Sequence, residues 1–158
     1  MRPIQTAADH KQREDRQRRL VRARDYRDGK PCCRFEIRTA AGWKECGSTL
    51  ARDTSHILPR RECAKVWDAL EVALLACRRC HDAYDGHGDG TVVRAPYHLA
   101  KIAWEHVLAN SKVPPSARWN PRLNPDYQEV INQRGTRQRI VGDDDEQDTI
   151  APAHLCRA

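Results

Sequence analysis

Large apolar side chains are scarce in this chain: its 158 residues include one phenylalanine and one methionine, and aromatic residues make up 6% of the total. Such a supply suits one modest domain with tails and excludes two independent cores. No stretch approaches the ~18 consecutive apolar residues of a membrane span. An apolar N-terminal segment of the signal-peptide kind is also missing, so neither export nor membrane insertion is expected, and the cytoplasm is the expected compartment. Internal repeats are absent too.

Positive charge and cysteine are what the chain has in excess. Lys and Arg number 28 against 22 Asp and Glu, a formal charge of +6. Residues 1–30 carry ten basic and five acidic side chains, whereas residues 141–158 carry one basic and five acidic. Arginine dominates the basic set, and its planar fork matches phosphate oxygens. A polyanion such as DNA or RNA fits this balance. Seven cysteines, an odd count with no export signal, point to metal binding or burial more than to a disulfide framework. A structural metal would also help so small a core to hold together.

Local patterns divide the chain. Residues 8–27 lack Gly and Pro and predict a basic helix whose apolar anchors are nearly confined to Leu20, Val21 and Tyr26. Asp28-Gly29-Lys30-Pro31 ends it. Residues 32–50 read as a hairpin turning at Ala40-Ala41-Gly42, which brings Cys32 or Cys33 near Cys46. Residues 53–60 suit a short strand running into a loop at Pro59. The stretch 61–76 fits either a helix or a buried strand. Residues 78–86 predict a short helix ending at Gly86, and 97–111 an amphipathic helix stopped by Pro114-Pro115. Irregular wrapping is expected for 113–140 and an acidic, disordered tail for 141–158.

Two short constellations carry chemistry. Cys77-Arg78-Arg79-Cys80 is a C-x-x-C knuckle, and Cys33 with Cys46 completes a four-thiolate set of the kind that binds structural zinc. Cys32 competes with Cys33, and Cys63 is a further substitute. His81 follows the knuckle, and Asp85 lies one helical turn on, a spacing at which imidazole and carboxylate can share a divalent cation.

The arrangement Cys33…Cys46…His56-Ile57-Leu58-Pro59-Arg60…Leu74-Leu75-Ala76-Cys77-Arg78-Arg79-Cys80-His81 resembles the HNH endonucleases, in particular the small zinc-knuckle versions encoded by bacteriophages. The resemblance covers about residues 30–90. It implies an α+β fold: a ββα-metal finger near 52–88 stapled by a four-cysteine zinc site, with flanking helices. The basic arm would then be 1–30 and the HNH domain with its following helix 31–112. The implied activity is metal-dependent hydrolysis of DNA phosphodiester bonds, as an endonuclease or nickase. His56 would be the general base and His81 a ligand of a catalytic Mg²⁺, Mn²⁺ or similar ion, with Asp85 a candidate second ligand. Arg60, Arg78 and Arg79 would hold phosphates, and His87 is a reserve ligand.

Two positions depart from the family pattern. Ser55 stands where a metal-binding His or Asp usually precedes the base, so Asp53 or a water would have to serve. Val72 stands near where an Asn usually steadies the base, and Asp68 is the nearest polar alternative. These departures leave a catalytically degenerate, zinc-bearing DNA-binding module as the alternative. A third reading is an interaction protein of a phage assembly, meeting its partner through the C-terminal region.

Overall fold

The computed structural model describes residues 6–124 and Tyr127. The acidic segment 141–158, and the wrap beyond residue 124 apart from Tyr127, lie outside the described residues. Helix α1 (Ala7–Asp25) opens with a capping box, in which the Thr6 hydroxyl accepts from the Asp9 N–H and the Asp9 carboxylate accepts from that of Thr6. A tight turn joins β1 (Tyr26–Arg27) to β2 (Lys30–Pro31), with Asp28 and Gly29 both at positive φ (50° and 73°). The hairpin β3 (Glu36–Thr39) and β4 (Gly42–Glu45) follows. Strand β5 (Asp53–His56) pairs antiparallel with β6 (Ala73–Ala76), which leads directly into α2 (Arg78–Tyr84). Strand β7 (Val93–Arg94) returns to the free edge of β3, and α3 (Tyr97–Asn110) is followed by a 3₁₀ turn at Ala117–Trp119. The chain is thus α+β, with small sheets and three helices among the described residues.

The segment open to two readings resolves into turns, a 3₁₀ turn at Leu70–Val72, and strand β6. Val72 through Ala76 are all fully buried. A residue run covered on both faces loses the alternation that marks a half-exposed strand, which is why periodicity could not separate strand from helix. Helix α1 lies against β6, while α3 packs on the Leu70–Val72 turn.

Helix α1 departs from its predicted anchoring. Of the three expected apolar anchors only Val21 is buried; Leu20 and Tyr26 remain exposed. Polar side chains do the docking instead. Gln17 and Asp25 are 1% and 2% exposed. Asp25 accepts the backbone N–H of Leu75 at 2.8 Å and receives the Arg24 guanidinium at 2.7 Å. Arg24 also donates to the carbonyls of Leu70 and Ala73. The outer edge of β6 would otherwise bury unpaired donors and acceptors. Asp25 closes its donor side, and the Arg34 N–H closes its acceptor side at the Leu75 carbonyl.

Replacement of Asp25 by Ala therefore leaves the buried Leu75 N–H without an acceptor and removes the carboxylate that faces Arg24. We expect Asp25→Ala to lower stability by about 3 kcal/mol. A fall in the urea midpoint at unchanged slope checks this, and a variant unfolding at the wild-type midpoint would contradict it.

Candidate functional site

The hairpin and the knuckle meet at four sulfurs. Backbone bonds close the base of the β3–β4 hairpin: Cys46 N–H donates to the Phe35 carbonyl at 2.8 Å, and Gly47 N–H to that of Cys33 at 3.1 Å. This sets Cys33 beside Cys46. Cys77 is the N-cap residue of α2, and Cys80 lies in its first turn, so their i,i+3 spacing puts both thiols on one face. The four Sγ atoms lie within 4.8 Å of one another, with Cys46 and Cys77 3.9 Å apart. Thiolates at 2.3 Å from one tetrahedral ion stand about 3.8 Å apart, so the donor set fits a structural metal ion.

Electrostatics agree with that fit. Hydrogen bonding from Cys33 pulls Cys46 down to about 7 and holds Cys77 lower still. Cys33 and Cys80 are pushed up because each serves as a donor to neighbouring sulfurs that carry the charge. Four thiolates this close would repel strongly without a cation among them. Neither expected substitute belongs to the group. Cys32 is buried outside the cluster, and Cys63 turns its Sγ to the carbonyls of Pro59 and Leu58, where burial raises it to about 11.

Directly after the knuckle, α2 carries His81 toward β5. His81 Nδ1 stands 3.4 Å from Asp53 Oδ2, and its Nε2 stands 3.3 Å from Asp85 Oδ2. Asp53 thus reaches the imidazole from β5 and Asp85 from one helical turn on. His56, the last residue of β5, lines the same surface as His81 on two adjoining hollows of about 340 and 580 Å³. The smaller is walled by Arg18 and Arg22 of α1 together with Arg52, Arg60 and Arg78. The larger adds Tyr84, Asp85, Arg118 and Trp119.

The His56 ring is oriented by the backbone. Its Nε2 lies 2.7 Å from the Trp67 carbonyl. A carbonyl only accepts, so Nε2 carries the hydrogen and Nδ1 keeps its lone pair. Burial lowers the pKa of His56 below the ordinary histidine value, with Arg60 and His81 adding to the effect. The ring is therefore neutral at pH 7, with one nitrogen free to accept a proton.

Other expected residues fall elsewhere. Arg79 lines neither hollow; it pairs with Asp89 at 3.2 Å and donates to the Thr91 hydroxyl, tying down the glycine-rich loop. His87 is exposed and outside both hollows. Asp68 is engaged by Arg13 and does not support His56. Ser55 is buried, and its hydroxyl has no hydrogen-bond partner among the described residues. Val72 is buried as well, and only its carbonyl takes part, accepting the Ile57 N–H at 2.8 Å. Arg18, Arg22 and Arg52 were missed as site residues. The four-residue spacing of Arg18 and Arg22 on a helix was the available signal, but it could not say which face turned inward.

Compared with protein-family models, curated proteins and solved structures, the chain finds no match.

The thiol pattern has a measurable consequence. Uptake of one Zn²⁺ by metal-free protein at pH 7 should release protons, because the thiols of Cys33 and Cys80, whose pKa values are raised, must ionise to ligate the ion. Titration calorimetry in buffers of different ionisation enthalpy counts them. Cys77→Ser should lose the ion, whereas Cys63→Ala should retain it. An ion retained by the first variant would refute the four-sulfur site.

Proposed function

We propose that this chain is a small HNH-type endonuclease or nickase that hydrolyses DNA phosphodiester bonds. On this reading β5, β6 and α2 are a ββα-metal finger, and Cys33, Cys46, Cys77 and Cys80 hold a structural Zn²⁺. One observation carries the reading: two imidazoles of separate elements, His56 and His81, line one hollow together with five arginines, beside Glu14 and Asp53. The motif resemblance over residues 30–90 points the same way.

The roles follow from the geometry. His56 presents Nδ1, held as an acceptor by the Nε2–H bond to Trp67, and takes a proton from the water that attacks phosphorus. His81, with Asp85 or Asp53, would hold the divalent cation, which when bound stabilises charge on the phosphoryl and leaving oxygens. Asp53 supplies from two residues earlier the carboxylate that Ser55 lacks. Arg60 and Arg78, joined by Arg18, Arg22 and Arg52, neutralise phosphates flanking the scissile one. Arg79, outside both hollows, braces the finger's loop through Asp89 and Thr91 and leaves an exposed guanidinium for a more distant phosphate.

A second reading has specific support. The buried hydroxyl of Ser55 and the buried aliphatic Val72 suit a finger that has kept zinc and DNA affinity without cleavage. Both readings expect binding that weakens steeply with salt, since the contacts are to phosphate. Only the nuclease reading expects product.

Plasmid nicking with Mg²⁺ or Mn²⁺ separates them. We expect wild type to nick, and His56→Ala to lose about 10²–10⁴-fold in rate while its zinc content stays unchanged. The acid limb of the wild-type rate should lie below the ordinary histidine value of about 6.5, because a lowered pKa keeps His56 neutral into more acidic solution. Undiminished nicking by His56→Ala would remove His56 from the mechanism, and no nicking by wild type with any divalent ion would favour the binding module.

A further inference from the structure

We infer that helix α1 is the positioning device for His56, acting through Gln17 and the Trp67 carbonyl, an inference that rests on the nuclease reading for its kinetic consequence. The chain lacks the side-chain amide expected near position 72 to steady the base. A different amide, far upstream on α1, reaches the same ring through a shared acceptor.

The geometry is specific. Gln17 Nε2 donates to the Trp67 carbonyl at 2.8 Å and to the Ala69 carbonyl at 2.8 Å. His56 Nε2 donates to the same Trp67 oxygen at 2.7 Å. One carbonyl thus uses its two lone pairs on one imidazole and one carboxamide. An imidazole bonded to a carbonyl is only as well oriented as that carbonyl, and residues 60–69 form turns with no strand ladder to hold them. Helix α1 holds three successive residues of this segment. The His10 ring stacks on Trp67 at 4.4 Å between centroids and 16° between planes. Arg13 grips Asp68 with two guanidinium nitrogens, Nε at 2.7 Å from Oδ2. Gln17 takes the Ala69 carbonyl. These three side chains follow at three- and four-residue spacing and so share one face of the helix.

Gln17 borders the smaller hollow but is 1% exposed, and both of its amide donor bonds go to backbone carbonyls. If the segment moved, the buried amide would lose both acceptors with no water to replace them, so amide and segment move together. Orientation of the base therefore depends on docking of α1. Outer partners of this kind typically matter by 10–100-fold, roughly, in activity.

The test uses the full-length, zinc-loaded chain without DNA, and reads the His56 ring nitrogens by NMR at pH 7.5. Wild type should show a single Nε2–H tautomer. Gln17→Met, which keeps the volume and removes both donors, should show a mixture of tautomers. Its nicking kcat should fall roughly 10–100-fold with KM and zinc content near wild type. Should that variant fail to fold, Arg13→Gln, which frees Asp68 at a partly exposed position, is read by the same spectrum with the same expectation. A single unchanged tautomer in the folded variant overturns the inference, even if the rate falls, and so does a mixture in wild type. If the tautomer responds as expected while wild type nicks no DNA with any divalent ion, positioning by α1 stands and the nuclease reading fails.

Discussion

Everything near the candidate site hangs on four sulfur atoms brought within 4.8 Å. Cys33 and Cys46 come from the two sides of a hairpin, while Cys77 and Cys80 come from the start of a seven-residue helix. A helix that short has little stability of its own. With one phenylalanine in the chain, apolar burial alone is a thin resource for fixing it. The sulfurs anchor its N-terminus instead, and that anchorage points the next turn, with His81 and Asp85, toward β5. At its other end Tyr84 packs on Phe35 and donates to the Ile57 carbonyl at 2.6 Å, so the thiol cluster and the core fix the helix between them.

Polar groups carry a second share of the architecture. Asp25, Arg24, Gln17 and Arg13 attach α1 to β6 and to the turns before it, where a larger protein would use an apolar stripe. Contacts of this kind are demanding, because each buried donor or acceptor that loses its partner costs the desolvation already spent on it. They are also directional. An apolar stripe tolerates sliding, whereas a carboxamide shared between two carbonyls does not. On the proposed reading this directionality places a charged helix along the wall of the hollow and keeps one histidine ring in one orientation.

The arginine wall and the acidic groups beside it are in tension. Glu14 lies 2.8 Å from Arg18 and 3.8 Å from Arg60, and Asp53 lies 3.4 Å from Arg78. These pairs are exposed enough that water and salt weaken them. On the proposed reading, a polyanion entering the hollow would exchange these weak pairs for phosphate contacts.

Much was legible from residue type and spacing alone. The C-x-x-C knuckle and the hairpin cysteines identified the sulfur set, because metal ligation needs particular atoms at particular separations that short sequence intervals encode. Helix α1, the β3–β4 hairpin, α2 and α3 were readable from capping, turn residues and periodicity, which are local. Three things were not readable. Strand β6 hid its period because both of its faces are covered. Docking of α1 was misjudged because Gln17 and Asp25 look like solvent-facing residues until the edge of β6 supplies their partners. The pairing of Arg79 with Asp89 and Thr91 was hidden too, because those partners lie on the loop beyond the helix. By itself, then, the sequence determined the helices and the main hairpin, the ligand chemistry and the excess of positive charge. Tertiary structure alone decided which polar side chains turn inward, since a donor or acceptor has no preferred direction until a distant backbone group offers it a partner.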